Sequence, residues 1–142
     1  MRKNRCVLAT VQSDSHMWNL IYMQLLLEEY AFEVTNLGCC TPPSLLADAV
    51  QREEPDLIVI STINGHGAAQ AKSTLEQLQG RFGSQMPAIV IGGRLTTSTL
   101  RDAAAAEELE RAGYDRAFVG ASALDRFSAY LSIGAQAQRT AA

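Results

Sequence analysis

An aspartate and a histidine lie two residues apart where the first apolar segment of this chain ends. Asp14 and His16 belong to the stretch S-D-S-H-M-W-N (13–19), which follows the apolar run C-V-L-A-T-V (6–11). A histidine that ligates a metal through one ring nitrogen needs its other N–H held, and a carboxylate is a common partner because it fixes the tautomer and raises ligand basicity. The same spacing permits a plainer interpretation, in which Asp14 serves as the N-cap of the following helix and His16 caps or packs at its start. The pair alone leaves both interpretations open.

Alternating apolar and amphipathic segments must position this pair. Strands are predicted at 6–11, 32–37, 57–61, 88–91 and 117–119, and helices at 17–30, 44–53, 68–79, 97–111 and 123–131. Such alternation requires parallel pairing with right-handed crossovers. The fold class is therefore α/β, a flavodoxin- or Rossmann-like three-layer sandwich with a five-stranded parallel sheet in the order 2-1-3-4-5. Trp18, Tyr22 and residues 25–27 are interpreted as the packing face of the first helix.

Ligands bind such sheets beyond the carboxyl ends of the strands, near the reversal between the first and third strands. Two further loops reach that edge, S-T-I-N-G-H-G (61–67) and G-G-R-L-T-T-S (92–98), and their small, polar and glycine residues let a ligand approach the backbone. Arg94 is either a phosphate partner or an ordinary surface arginine. The G-x-G-x-x-G order and the Walker lysine are absent from the sequence, which argues against a nucleotide fingerprint.

Composition limits the partners. The chain has 142 residues, of which 47% are apolar, and a net charge of −3. No basic cluster is evident, so neither nucleic acid nor an anionic membrane is an expected partner. The three cysteines form no C-x-x-C pair, and no apolar run is long enough for a membrane helix, so we expect a cytoplasmic protein. Residues 1–134 are expected to form one domain and 135–142 a frayed tail.

The three loops resemble the signature of the cobalamin-binding domain family, D-x-H-x-x-G, S-x-L and G-G. Within that family the spacing is similar to that of the small (sigma) subunit of glutamate mutase, also called methylaspartate mutase. Two positions depart from the signature, since Asn19 stands at its last glycine and Ile63 at its leucine. Further similarity extends the resemblance over nearly the whole chain, at 31–38, 55–61, 65–67 and 111–116.

The resemblance implies a role for each loop. His16 would be the lower axial ligand of cobalt, Asp14 would hydrogen-bond His16, and the Ser61 hydroxyl would face a nitrogen of the cofactor's benzimidazole tail. The tail would enter a slot between the sheet and the first helix. The implied cofactor-binding residues are Ser13, Asp14, Ser15, His16, Met17, Ser61, Thr62, Ile63, Gly92, Gly93, Arg94, Leu95, Thr96 and Thr97.

The function implied by the resemblance is that of the non-catalytic, cobalamin-binding component of a glutamate mutase-like carbon-skeleton isomerase. It would bind adenosylcobalamin and be inactive without a large, barrel-shaped subunit. One alternative is a corrinoid methyl carrier, although such carriers usually place a helical bundle before this domain and only five residues precede the first predicted strand. Another is a non-enzymatic cobalamin sensor or a receiver-like regulator. Receiver domains need an aspartate near the end of the third strand, where this chain has Ser61.

Overall fold

The computed structural model describes the backbone of residues 4–141 and the side chains of residues 4–133. Its centre is a five-stranded sheet in which every neighbouring pair is parallel and the strand order is β2-β1-β3-β4-β5. The predicted class and strand order are therefore confirmed. The strands are β1 (Asn4–Ala9), β2 (Phe32–Asn36), β3 (Leu57–Thr62), β4 (Ala88–Gly93) and β5 (Arg116–Phe118).

Helices cover both faces of the sheet. Residues that alternate along β3 show this, because Ile58 and Ile60 pack with α2, α3 and α4, whereas Leu57 and Val59 pack with α1 and α5. All six residues of β3 are buried, as expected of a strand covered on both sides. The helices are α1 (Met17–Glu29), α2 (Pro43–Glu53), α3 (Gly67–Phe82), α4 (Thr99–Ala112) and α5 (Ala123–Ala141), with a short 3-10 turn at Gly83–Gln85.

Several predicted boundaries differ from the observed ones. β1 is displaced toward the N-terminus, because Asn4 and Arg5 pair with β2, and residues 10–16 consequently form a loop. Gly92 and Gly93 continue β4 instead of breaking it. α5 continues to Ala141, beyond its predicted end at 131. The predicted domain at 1–134 and frayed tail at 135–142 stay predictions, and residue 142 lies outside the described residues.

The predicted packing face of α1 is wrong in its main members. Trp18 is 82% exposed, and Tyr22 and Leu25 also lie mostly in solvent. The buried residues are Leu20, Met23 and Leu27. Because α1 is apolar around most of its circumference, its periodicity could not select the inward face. No helix in the described part of the chain has both the length and the apolar character needed to span a bilayer.

Candidate functional site

The Asp14 carboxylate lies at the centre of the loop between β1 and α1. It is 1% exposed, and it receives hydrogen bonds from two separate segments of the chain. Its Oδ1 accepts the His16 backbone N–H at 2.9 Å and lies 2.7 Å from His16 Nδ1. Its Oδ2 accepts the Thr62 hydroxyl at 2.5 Å and the Ile63 N–H at 2.8 Å. The carboxylate thus links the loop after β1 to the end of β3 and contacts Nδ1 of the imidazole.

The plainer interpretation of this pair is right about His16, which caps α1, and wrong about Asp14. The N-cap of α1 is His16, not Asp14, and the cap makes no side-chain hydrogen bond to the helix. The residue types alone could not show this, because aspartate is also a favoured N-cap. The partners that distinguish the two roles, Thr62 and Ile63, come from β3 and the residue after it.

The charge of Asp14 determines which nitrogen of the His16 ring carries the proton. Burial raises the pKa of the Asp14 carboxyl, but hydrogen bonds from Thr62, His16 and Ile63 outweigh it and lower the pKa from 3.8 to about 2. The group is therefore an acceptor only, so Nδ1 of His16 must donate to it. In the neutral ring this leaves the Nε2 lone pair free. The side chain is 49% exposed, which makes that lone pair available to a ligand approaching the sheet edge.

A cavity of about 200 Å³ opens beside this loop, between α1 and α5 and above β3 and β4. Ser61 lies in its wall, 6% exposed, and its Oγ accepts a hydrogen bond of 2.8 Å from Asn19 Nδ2. The volume is below the roughly 300–1,000 Å³ of pockets that enclose a whole drug-sized ligand. It has room for part of a larger molecule. The apolar side chains of its wall include Met23, Val59, Val90, Phe118 and Phe127.

The paired glycines of β4 border the same cavity, but the protein itself requires at least one of them. A Cβ at Gly93 would lie 1.9 Å from the Thr62 carbonyl oxygen, and φ there is +113°. A Cβ at Gly92 would lie 3.0 Å from the Phe118 carbonyl oxygen. These contacts explain the glycines through packing of the sheet, without a ligand. The close approach of a cofactor tail to these residues stays a prediction.

The loop after β4 is organised by a carboxylate that the sequence analysis did not single out. Asp102, in the first turn of α4, is 3% exposed and accepts from both the backbone N–H and the hydroxyl of Thr96. It also pairs with Arg94, whose Nε lies 3.2 Å from Oδ2. Arg94 therefore has a partner within the chain, and Leu95 is buried in the α2–α3–α4 core. The position of Asp102 in a first helical turn, directly after a polar loop, is the feature of the sequence that could have identified it.

The remaining predicted residues lie around the imidazole. Met17 and Ile63 are exposed beside it, and Ser13 accepts a hydrogen bond from Asn64 and donates its N–H to Gln70. In the part of the chain that the structure describes, no group of three or more His, Cys, Asp or Glu residues could hold a metal ion. One available imidazole nitrogen at the sheet edge can supply a single ligand to a metal whose other ligands come from outside this chain.

Comparison with known proteins identifies the family of this chain. The chain belongs to the B12 binding domain family, whose profile matches residues 4–122. Curated relatives include the glutamate mutase sigma subunit of Fusobacterium nucleatum, which is 25% identical over 118 residues, covering 83% of this chain and 86% of the relative. The glutamate mutase sigma subunit of Halobacterium salinarum is 28% identical over 112 residues, covering 79% of this chain and 74% of the relative.

A solved structure supports the fold. A cobalamin-binding protein from Desulfitobacterium hafniense superposes with a TM-score of 0.71 over 92% of this chain at 21% sequence identity. This chain spans 60% of that protein. At this level of identity the likeness concerns the fold, and the roles of individual residues must be argued from the site itself.

Proposed function

We propose that this chain is the cobalamin-binding small component of an adenosylcobalamin-dependent, glutamate mutase-like isomerase, with His16 as the lower axial ligand of cobalt. The observation that carries the proposal is the Asp14–His16 contact at the sheet edge, which leaves Nε2 of the imidazole free. A cavity with room for part of a larger molecule lies between α1 and α5. The names of the curated relatives support the choice of reaction.

Each group of the site has a task in this proposal. Asp14 holds the Nδ1–H, which fixes the ring orientation and increases the electron donation of Nε2 toward a metal. The cavity between α1 and α5 takes the nucleotide base, and the Ser61 hydroxyl in its wall donates to a nitrogen of that base. When bound, adenosylcobalamin supplies the radical chemistry of a carbon-skeleton rearrangement. The protein contributes ligation, orientation and exclusion of water from one face.

A second subunit completes the active site in this proposal. The His16 edge faces outward, so the opposite face of a bound corrin needs another protein surface to cover it and to hold the amino-acid substrate. We propose that this surface belongs to a large, barrel-shaped subunit and that the assembly works in the cytoplasm. The isolated chain is then inactive, and the reaction is that of the two components together.

The chain's two histidines allow a matched test. The purified protein is mixed with hydroxocobalamin and desalted, and the visible spectrum is recorded for the wild type, His16→Ala and His66→Ala. His66 is also exposed, at the N-terminus of α3. We expect the wild type and His66→Ala to retain a corrinoid whose own base is displaced from cobalt, and His16→Ala to lose that spectral signature. Unchanged affinity and spectra in His16→Ala would contradict the assignment.

Direct evidence for ligation comes from electron paramagnetic resonance of the bound Co(II) form. Protein grown with nitrogen-15-labelled histidine should show an altered superhyperfine pattern if His16 Nε2 binds cobalt. Reconstitution with a large mutase subunit and glutamate then separates the isomerase from a methyl carrier or a cobalamin sensor. A chain that binds cobalamin through His16 but supports no rearrangement with any such subunit would favour one of those alternatives.

A further inference from the structure

We propose that Asn19 orients the hydroxyl of Ser61, so that the cavity prefers a corrinoid whose nucleotide base presents a ring-nitrogen lone pair. The inference rests on the proposed function, because it assumes that the cavity between α1 and α5 receives the nucleotide base. It concerns the position at which this chain departs from the D-x-H-x-x-G signature, with asparagine in place of glycine.

The direction of one hydrogen bond carries the argument. Asn19 lies in the first turn of α1, and its Nδ2 donates to Ser61 Oγ at 2.8 Å. A hydroxyl has one proton to donate, and its oxygen lone pairs accept. Because the amide N–H uses the oxygen as an acceptor, the Ser61 proton must point elsewhere. Among the described residues, the recorded hydrogen bonds include none in which Ser61 Oγ is the donor.

The position of Ser61 directs that proton toward the ligand. Ser61 is buried to 6% exposure, is the fifth residue of β3, and lines the cavity together with Asn19. Most side chains of the wall, such as Val59 and Phe118, are apolar and offer no acceptor, and the polar ones besides Ser61 are Asn19 and the more than half-exposed Tyr22. A flat base with an in-plane nitrogen lone pair would satisfy the proton, whereas a base without such a nitrogen would leave a buried donor unpaired.

Asparagine at this position therefore affects the direction of the Ser61 hydroxyl proton. A glycine would leave the Ser61 hydroxyl free to rotate and to act as donor or acceptor. Asn19, half-buried beside the cavity, occupies one of the hydroxyl's two lone pairs and so turns its proton away from the amide. The expected consequence is a preference of about tenfold, equivalent to about 1.4 kcal/mol, for cobalamin over a cobamide that carries a phenol in place of the benzimidazole. This preference is counted after the cost of releasing cobalamin's own base from cobalt, which is the same in every variant.

Asn19→Asp provides an isosteric test. A carboxylate cannot donate, so it would accept the Ser61 proton and turn the oxygen lone pairs toward the cavity. Dissociation constants for cobalamin and for the phenolyl cobamide are measured by spectral titration on the wild type, Asn19→Asp, Asn19→Ala, Ser61→Ala and the double variant Asn19→Asp with Ser61→Ala. We expect Asn19→Asp and Ser61→Ala each to abolish the preference, and Asn19→Asp to change it no further in the Ser61→Ala background. Asn19→Ala, which removes the bond without adding charge, should give an intermediate preference.

The outcomes distinguish this inference from the proposed function. If the wild type retains the His16-ligated cobalamin spectrum but Asn19→Asp weakens both corrinoids equally, only the orienting role is overturned. The same holds if Asn19→Ala tightens cobalamin binding, since the asparagine would then be an obstruction. If the wild type binds neither corrinoid, the proposed function and this inference fail together.

Discussion

Replacing Asp14 with asparagine should destabilise the fold in a way that depends on pH. Asn has nearly the same shape, so the substitution removes the charge and one set of acceptor lone pairs while leaving the volume unchanged. One carboxylate oxygen faces the backbone N–H of His16 and the other faces that of Ile63. Whichever way the amide is turned, its NH₂ group therefore opposes a backbone N–H that cannot rotate away.

Two contributions set the magnitude. The pKa of the Asp14 carboxyl is lowered from 3.8 to about 2, and each pKa unit between the folded and unfolded states corresponds to about 1.4 kcal/mol. The ionised group thus stabilises the native state by about 2 kcal/mol. The unsatisfied backbone donor adds about 1–3 kcal/mol. Because the lowered pKa already includes the hydrogen bonds from His16 and Ile63, the two contributions overlap, and the loss expected for Asp14→Asn at neutral pH is about 2–4 kcal/mol.

The sign of the pH dependence follows from the lowered pKa. Because the folded-state pKa lies below the unfolded-state value of 3.8, the charge contribution is fully present above about pH 4. It is lost as the pH falls through about 2, and at pH 3 roughly half of it remains. The difference in unfolding free energy between wild type and Asp14→Asn should accordingly shrink by about 1 kcal/mol between pH 7 and pH 3.

Urea unfolding followed by circular dichroism at several pH values measures this difference. Glu107→Gln is the matched control, because Glu107 is exposed on α4 and its replacement should change stability by less than about 0.5 kcal/mol at either pH. A penalty for Asp14→Asn that is the same at pH 7 and pH 3 would refute the reasoning, since the charge would then contribute nothing to the fold.

Three further predictions concern packing and exposure. Gly93→Ala should lower the free energy of unfolding, measured by chemical denaturation, by about 2–4 kcal/mol, because its Cβ would collide with the Thr62 carbonyl. Gly80 lies inside α3 with open space around it, so Gly80→Ala should raise that free energy by about 0.5–1 kcal/mol. Equal effects of the two substitutions would contradict the packing argument. Trp18, the chain's one tryptophan, is 82% exposed. Acrylamide should therefore quench its fluorescence almost as readily in the native as in the unfolded protein. Strong protection in the native protein would show that α1 is rotated so that Trp18 faces the sheet. Cys6 is buried, and burial raises the pKa of its thiol. A thiol reagent at mildly alkaline pH should therefore label the exposed Cys40 well before Cys6. Labelling of both cysteines at the same rate would mean that β1 opens locally.

The α/β class, the strand order and the sheet edge at which the polar loops meet could all be predicted from the amino-acid sequence. These are consequences of local patterns. The apolar run of β3 has the length and composition of a strand covered on both sides, and the polar loops follow the central strands directly. Once parallel order is inferred, their convergence at the carboxyl edge follows from topology. Asp14 and His16 could be selected as candidates because both types and their spacing lie within one loop.

The contacts of those residues depend on packing between distant segments of the chain. Asp14 accepts from Thr62 and Ile63, and Asn19 donates to Ser61, contacts that exist because β1 and α1 pack against β3. The inward face of α1 was likewise undetermined by an apolar sequence on all sides, and the sheet, not the periodicity, selected Leu20, Met23 and Leu27. The need for Gly93 arises from the Thr62 carbonyl on the neighbouring strand. Hydrogen-bond direction, burial and steric contact between distant segments depend on three-dimensional proximity, which local sequence patterns do not encode.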